Sequence, residues 1–434
     1  MINIYTYRLL TILLSPLIDL YLLFRLIKGK EDKKRFGERF GYTKTQRPEG
    51  RVVWFHGASV GESNSILPVI KKFIKENPDK NSTILFTSGT KTSAKLIKDK
   101  IKEYKIIHQY IPIDKYFVVK RFLKHWKPDI FIPIESEIWP NLFTLAKKTG
   151  CPIVLINGKM SEKSFKKWKE KPTFKKQIFS CIDLCFAQSK DNQKRFLKLG
   201  IKNTKYYGNL KFDVPILKGD IKKEMELKKS LKVKKEVWAV ASTHKKEEEL
   251  IAQIHIKLKK QHSNILTTII LRHPKRKNEV VNMLEKEYKL NVIVRTENTK
   301  ITKKTDIYLC DTLGEMGVFF RVFDIVLMAG SLIDGIGGHT PIEPAKLNCA
   351  ILTGPYIHNN KGLFAELEKN NACIKIKDNG KIIDNTVKEI ANLFNNSKKT
   401  KQLQKNALKL TTKMKNITIK IVNKIINDFK NTPR

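Results

Sequence analysis

Short apolar runs alternate with helix-period patterns along most of this chain, and the alternation is interrupted once. Arg51–Phe55, Thr83–Thr87, Lys105–Ile111, Asp129–Ile134, Pro152–Ile156, Leu184–Ala187 and Lys205–Tyr207 read as strands, with helical patterns such as Ser63–Lys75 between most of them. A second series follows at Trp238–Ala241, Leu266–Leu271, Val292–Arg295, Asp306–Leu309, Ile325–Ala329 and Ala350–Thr353. Between the two series, residues 211–235 are charged and punctuated by Pro215 and Gly219. Such alternation predicts parallel sheets with helices on both faces, because parallel strands require long crossovers. Two series within 434 residues predict two α/β domains rather than one. The expected division is an anchor at 1–30, a Rossmann-like domain at 31–213, a linker at 214–235, a second Rossmann-like domain at 236–396 and a basic helical segment at 397–434.

Two strand-to-turn segments stand out, one in each half. Val52 to Glu62 (VVWFHGASVGE) is an apolar strand running into a glycine turn that ends in a carboxylate. Asp324 to Ser331 (DIVLMAGS) is a strand followed by the glycine-rich stretch Gly335 to Pro344 (GIGGHTPIEP). Open α/β sheets bind ligands at the carboxyl ends of strands, beside helix N-termini. One such segment in each half predicts a ligand held between the two domains.

Leu9–Phe24 is strongly apolar and is followed by Arg25, Lys28, Lys30, Lys33, Lys34 and Arg35. No small-residue cleavage site follows, so a secretory signal is not expected. The run is short for a span and contains Pro16 and Asp19. Each Leu, Ile or Phe favours insertion by roughly 0.3 to 0.6 kcal/mol, whereas a central Asp opposes it by about 2.5 to 3.5. The balance leaves a single span or an interfacial helix open, with the basic run keeping the following chain cytoplasmic.

The formal charge is +43. Lys, Asn and Ile are abundant everywhere, as biased coding would produce, and this alone explains part of the excess. No RNA- or DNA-binding signature accompanies the lysines, so nucleic acid is not an expected partner. An anionic membrane or anionic substrate is the better functional account. The cysteines number 6 and show no metal-ligand spacing, so reduced, structural thiols are expected.

The ordered motifs carry a resemblance. His56 to Glu62 (HGASVGE), Pro133 to Asn141 (PIESEIWPN), Asn157 to Ser164 (NGKMSEKS) and Gly208 to Asp213 (GNLKFD) resemble successive signatures of the Kdo (3-deoxy-D-manno-octulosonic acid) transferases. Ala241 to His244, Arg272-His273-Pro274, Asp311 to Glu315 and Gly337 to Pro344 follow in the same order. The resemblance runs from the apolar N-terminus to about Asn360. It differs at Thr340, where Asn is usual, at Gly158-Lys159, where Ala-Arg is usual, and around Ile336, where the loop is often shorter or more basic.

The resemblance implies a GT-B architecture, two Rossmann-like domains facing a central cleft, preceded by an N-terminal membrane anchor. It implies inverting transfer of Kdo from CMP-Kdo to the lipid A precursor at the cytoplasmic side of a bacterial inner membrane, with no metal or cofactor. The alternative within the same fold is a transferase using a UDP-sugar and a lipid acceptor. Inversion needs one general base, and Glu62 is the candidate; by pattern alone it is equally a first-turn carboxylate favoured by the helix dipole. Ser59 and Gly61 would offer backbone N–H groups to the Kdo carboxylate or an acceptor phosphate. Arg272 and His273 would hold phosphate or carboxylate. Ser331, Gly337, Gly338, His339 and Glu343 would form the rest of the donor site, with Glu343 accepting from ribose hydroxyls. Asp311, Thr312, Gly314 and Glu315 lie on a strand-to-helix turn and read equally as donor contacts or as helix caps. Glu135 and Glu137, on one face of an extended segment, and Lys159 would serve the acceptor or the acidic sugar. Arg35, Arg39 and Lys44 are further candidates to dock the phosphorylated acceptor lipid.

Overall fold

A computed structural model describes residues 2–100, 104, 106–297 and 300–429. The Lys105 end of one predicted strand and residues 430–434 of the predicted basic segment lie outside the described residues. The chain forms two compact units: Met1–Asp213 with Asn416–Arg434, and Val214–Lys415.

In the first unit, β1 (Val52–His56), β2 (Thr83–Ser88), β3 (Ile106–Tyr110) and β4 (Ile130–Pro133) form a parallel sheet in the order β3-β2-β1-β4. β5 (Val154–Gly158), β6 (Leu184–Ala187) and β7 (Thr204–Tyr206) extend it, because single bridges at Phe131–Ile153 and Ile134–Ile156 join β4 to β5. The first crossovers run one way from β1 and the later ones run the other way. The strand order therefore reverses between β1 and β4, where such sheets open a crevice at their carboxyl ends. All five residues of β1 are buried, so Val52–Phe55 is continuously apolar rather than alternating and His56 is a buried polar end. Trp54 stacks on Phe131 at 3.8 Å and donates its indole N–H to Thr87 at 2.8 Å, so the ring is buried with its polar atom satisfied.

The second unit repeats the plan. β8 (Glu236–Thr243), β9 (Ile265–Leu271), β10 (Val292–Val294), β11 (Ile307–Cys310), β12 (Ile325–Met328), β13 (Ala350–Thr353) and β14 (Cys373–Lys375) form one parallel sheet in the order β10-β11-β9-β8-β12-β13-β14. The reversal falls between β8 and β12. The sequence pattern misses β14, which is three residues long and ends on an exposed lysine.

Two expectations about the termini change. The apolar N-terminal run is two helices, Ile4–Leu13 and Ser15–Ile27, bent by 60°. Pro16 in the first turn of the second helix explains the break, since proline cannot continue an i→i−4 ladder. Among the described residues no single helix is long and apolar enough to cross a membrane. Asp19 forms an ion pair with Lys115 at 2.6 Å. Leu9, Leu10, Ile12, Leu13, Leu17, Leu20, Leu23 and Phe24 remain exposed.

The C-terminal segment is divided between the units. Helix Ser397–Lys413 belongs to the second, while helix Ile417–Phe429 returns to the first and packs on helix Val60–Glu76. Ile417, Ile421, Val422 and Ile425 are buried there, and the Asp213 carboxylate accepts the Thr418 amide at the point of return. Ile425→Ala removes a fully buried side chain and is expected to cost about 2 to 5 kcal/mol. The shift in urea midpoint of the first unit measures it; an unchanged midpoint would mean the returning helix is only laid on the surface.

Candidate active site

At the carboxyl end of β1 the chain turns through Gly57-Ala58-Ser59 into helix Val60–Glu76. The helix starts earlier than its apolar periodicity predicts, because Ser59 and Glu62 form a reciprocal capping box. The Glu62 amide donates to Ser59 Oγ at 3.3 Å, and the Ser59 amide donates to Glu62 Oε2 at 3.1 Å. The Ala58 amide also donates to Oε2, at 2.7 Å. The loop N–H groups expected to bind an anion are thus partly taken by the protein's own carboxylate. Glu62 Oε1 has no hydrogen-bond partner among the described residues.

Glu62 faces the reversal point between β1 and β4. Burial pushes its pKa up, and the nearby Glu137 charge pushes it further. His56, at the end of β1, is fully buried; its Nδ1 lies 2.9 Å from Thr87 Oγ1 and its Nε2 lies 3.5 Å from Glu137. Trp139 donates its indole N–H to the same carboxylate at 2.9 Å. Burial opposes charge on Glu137, but the His56 and Trp139 contacts outweigh it and hold its pKa below the ordinary value.

The segment that carries Glu135 and Glu137 is not regularly extended, although both carboxylates act on Glu62. Glu135 has φ +60°, in the left-handed region, so regular alternation fails there. Its backbone bridges two strands' loops: its amide donates to Ile156 and its carbonyl accepts the Lys159 amide, at 3.0 and 3.1 Å. Its buried carboxylate meets Asn157 Nδ2 at 3.4 Å and Lys211 Nζ at 3.8 Å. The structure therefore brings Ser59, Gly61, Glu62, Glu135, Glu137 and Lys159 to one end of one sheet. Among the described residues, no group of three or more His, Cys, Asp or Glu side chains is arranged to hold a metal ion.

In contrast, Arg39 is buried and not available to dock a lipid phosphate, while Arg35 is partly exposed but engaged by the protein's own groups. Arg39 is buried against Glu31 and the carbonyls of Ile111 and Gly89, and Arg35 is held by Glu38 and the His108 carbonyl. Lys44 is exposed.

The second unit builds its site around a carboxylate that the sequence reading did not single out. Glu247 is fully buried and accepts four backbone amides: those of His244 and Gly330 at 3.1 and 2.8 Å on Oε2, and those of Ser331 and Leu332 at 3.0 Å each on Oε1. It thereby ties the loop after β8 to the loop after β12. The available signal was the spacing His244-x-x-Glu247 at a helix start, which resembles a capping box.

This clamp gathers three histidines. His244 Nε2 lies 2.8 Å from His339 Nε2 with the rings stacked, and His273 approaches His244 edge-on. Burial, with His244 and Arg272 nearby, pushes His339 down to about 4, so the pair shares hydrogen bonding in its neutral form. Arg272 and His273 are exposed at the end of β9. The Arg272 guanidinium has no partner among the described residues. Glu343 sits half-buried in the first turn of the short helix Ile342–Lys346, and burial pushes its carboxyl up. Gly337 has φ +90°, and a Cβ there would lie 2.4 Å from the His358 ring, so this turn requires glycine.

Three predicted donor contacts have other duties. Ser331 is fully buried; its hydroxyl donates to the Met328 carbonyl at 2.6 Å and accepts the Gly354 amide at 2.8 Å. Asp311 accepts the Thr296 amide and hydroxyl at 3.2 and 2.6 Å, tying down the loop after β10. Glu315 takes a two-point contact from Arg295 at 2.6 and 3.0 Å, and Thr312 and Lys223 complete its shell at 2.5 and 2.8 Å. Gly314 is exposed with φ +85°, as the turn between them requires.

Residues 34–214 match the family model described as 3-deoxy-D-manno-octulosonic-acid transferase (kdotransferase). A 3-deoxy-D-manno-octulosonic acid transferase of Rickettsia bellii is 34% identical over 412 residues, covering 95% of this chain and 96% of that protein. The chain belongs to the Kdo transferase family. A probable mitochondrial member from Arabidopsis thaliana is 35% identical, covering 84% of this chain and 81% of its own. The crystal structure of a glycosyltransferase from Rickettsia africae overlays with a TM-score of 0.57 at 14% identity, covering 89% of this chain and all of that one (100%), which shows the shared fold. As a Kdo transferase the protein is a glycosyltransferase.

The Arg295 contact, against some burial, holds the Glu315 carboxylate near pKa 2, below its ordinary 4.5. The unfolded chain takes up this proton at higher pH than the folded protein does. The stability it contributes is therefore present above about pH 4.5 and lost as pH falls toward 2. Glu315→Gln is expected to lower the neutral-pH urea midpoint and flatten its decline across that window; a parallel decline in both proteins would show that the contact contributes nothing.

Proposed function

We propose that this Kdo transferase moves Kdo from CMP-Kdo to the lipid A precursor with inversion and without a metal, Glu62 taking the proton of the acceptor hydroxyl. What carries this reading is the state of Glu62. One carboxylate oxygen is fixed by two loop amides, so the side chain is aimed, while the other oxygen is free to accept a proton. Its raised pKa makes it a stronger base than a solvated glutamate. The ordered His56–Glu137–Trp139 set keeps a second charge beside it and sustains that shift.

The second unit suits the donor. Kdo transfer expels CMP, so negative charge grows on a phosphate oxygen and must be neutralised. The unpaired Arg272 guanidinium and the exposed His273 are donors for that charge, and the Gly337–Gly338 turn lets a nucleotide phosphate approach the backbone. The half-buried Glu343 carboxylate suits paired ribose hydroxyls. Asp311 and Glu315 act by holding their loops. In the first unit, Lys159 and Lys211 supply positive charge for the acceptor or the acidic sugar.

The lipid acceptor and the exposed apolar side chains of the two N-terminal helices support placement at the cytoplasmic face of a bacterial inner membrane, reached through those helices and the basic surface.

Purified protein incubated with CMP-Kdo and tetraacylated lipid A precursor should give product whose mass counts the sugars added. Glu62→Gln should keep its fold by circular dichroism and its CMP-Kdo affinity while losing at least ~100-fold in kcat; near-normal turnover ends the base assignment. Arg272→Ala should raise the KM for CMP-Kdo by about tenfold or more, the scale of one charge-assisted hydrogen bond. Tighter binding of UMP than CMP would instead favour a UDP-sugar donor.

A further inference from the structure

In the first unit, helices Tyr116–Trp126 and Pro140–Lys148 run side by side. The N-terminal helix Ile4–Leu13 packs on both: Tyr7 donates to Asp114 at 3.0 Å, Arg8 donates to Asn141 and Thr144 at 3.2 and 3.1 Å, and the Arg8 guanidinium lies 4.8 Å above the Tyr116 ring. From Tyr116 onward the same groove continues into a cavity of about 710 Å³. Gly50, Asp129 and Cys151, which precede β1, β4 and β5, close its base. The cavity therefore lies at the amino ends of the strands, whereas Glu62 lies at their carboxyl end. The site described above does not use it.

The chemistry of this cavity is divided. Its floor is apolar, formed by the buried side chains of Leu123, Leu145 and Cys151. Its rim carries Lys120, Lys124, Lys127 and Lys148, all exposed and without an ion-pair partner among the described residues. The lining acid, Asp129, accepts the Val52 amide at 2.8 Å and faces Arg47 at 4.0 Å, and Arg47 itself donates to the carbonyls of Trp126, Pro48 and Gly50. Neither of these two offsets the lysines. Four uncompensated like charges around an apolar hollow call for a ligand that is anionic at one end and hydrocarbon at the other. A sugar nucleotide would leave the floor unfilled, and a free phosphate would leave it wet. The exposed apolar side chains of the helix over the same groove, Leu9, Leu10 and Leu13 among them, bring a lipid surface within reach of its mouth.

We infer that this cavity binds one anionic glycerophospholipid, its headgroup phosphate among the four lysines and the start of an acyl chain on Leu123 and Leu145. Binding here orients the unit on a membrane separately from sugar transfer, so it is read without turnover.

The test titrates the full-length protein with monomeric dihexanoyl phosphatidylglycerol, with dihexanoyl phosphatidylcholine and with inorganic phosphate, by calorimetry. Saturable one-to-one binding of the anionic lipid alone is expected. K120Q/K124Q should weaken it about twenty-five-fold, at about fivefold per lysine. Thr149→Trp, an exposed position on the lining, should fill the mouth and abolish binding, with unchanged melting showing that both variants fold. Equal binding of phosphatidylcholine would overturn the inference. So would phosphate binding as tightly as the lipid, or affinity for the anionic lipid that survives both substitutions, which would assign it to the N-terminal helices instead.

Discussion

Parallel strands end by releasing a row of backbone N–H groups into loops, and buried N–H groups must find acceptors. In both units a single glutamate near the start of the first helix after the first strand supplies them. Glu62 takes the amides of Ala58 and Ser59, and Glu247 takes those of His244, Gly330, Ser331 and Leu332. The loops at these strand ends are thus held by side-chain acceptors rather than by further sheet pairing. They can stay open at the strand ends and still be rigid. Each clamp sits where its sheet reverses direction, which is where a ligand has room to enter.

The two carboxylates differ in how many of their oxygens the protein itself uses. Both oxygens of Glu247 are used, so it is a pure clamp. Glu62 spends one oxygen and keeps one, in a setting where burial and the neighbouring Glu137 make proton uptake easier. A glutamate that caps a helix can thus keep one oxygen free, so the capping account of Glu62 does not exclude the base proposed for it. The same division explains the second unit. Arg295 and Glu315 satisfy each other and fix a loop, while Arg272 is left unpaired at a strand end where an anion can meet it.

Much of this was legible in the chain itself. Fully apolar runs such as Val52–Phe55 and Ile325–Met328 bury on both faces of a sheet, and their alternation with helical patterns required parallel order. The glycine turns after them, and the acids and histidines beside those turns, marked the family. Harder to see were contacts made across sequence. Ser331 resembles a ligand contact until Gly354 and Met328 take its hydroxyl, and Glu247 resembles an ordinary first-turn acid until the loop after β12 folds onto it.

The sequence by itself determined strand, turn and helix, because those follow from local periodicity and from where glycine and proline fall. Only the tertiary structure decided which polar groups are occupied and which are free. It laid the first N-terminal helix against Asp114 and Asn141, sent helix Ile417–Phe429 back to the first unit, and put Glu135 in a left-handed backbone conformation beside Asn157 and Lys211. Each of these depends on a partner tens or hundreds of residues away. A side chain's role at a strand end is set by which distant donor or acceptor reaches it first, and no local pattern encodes that.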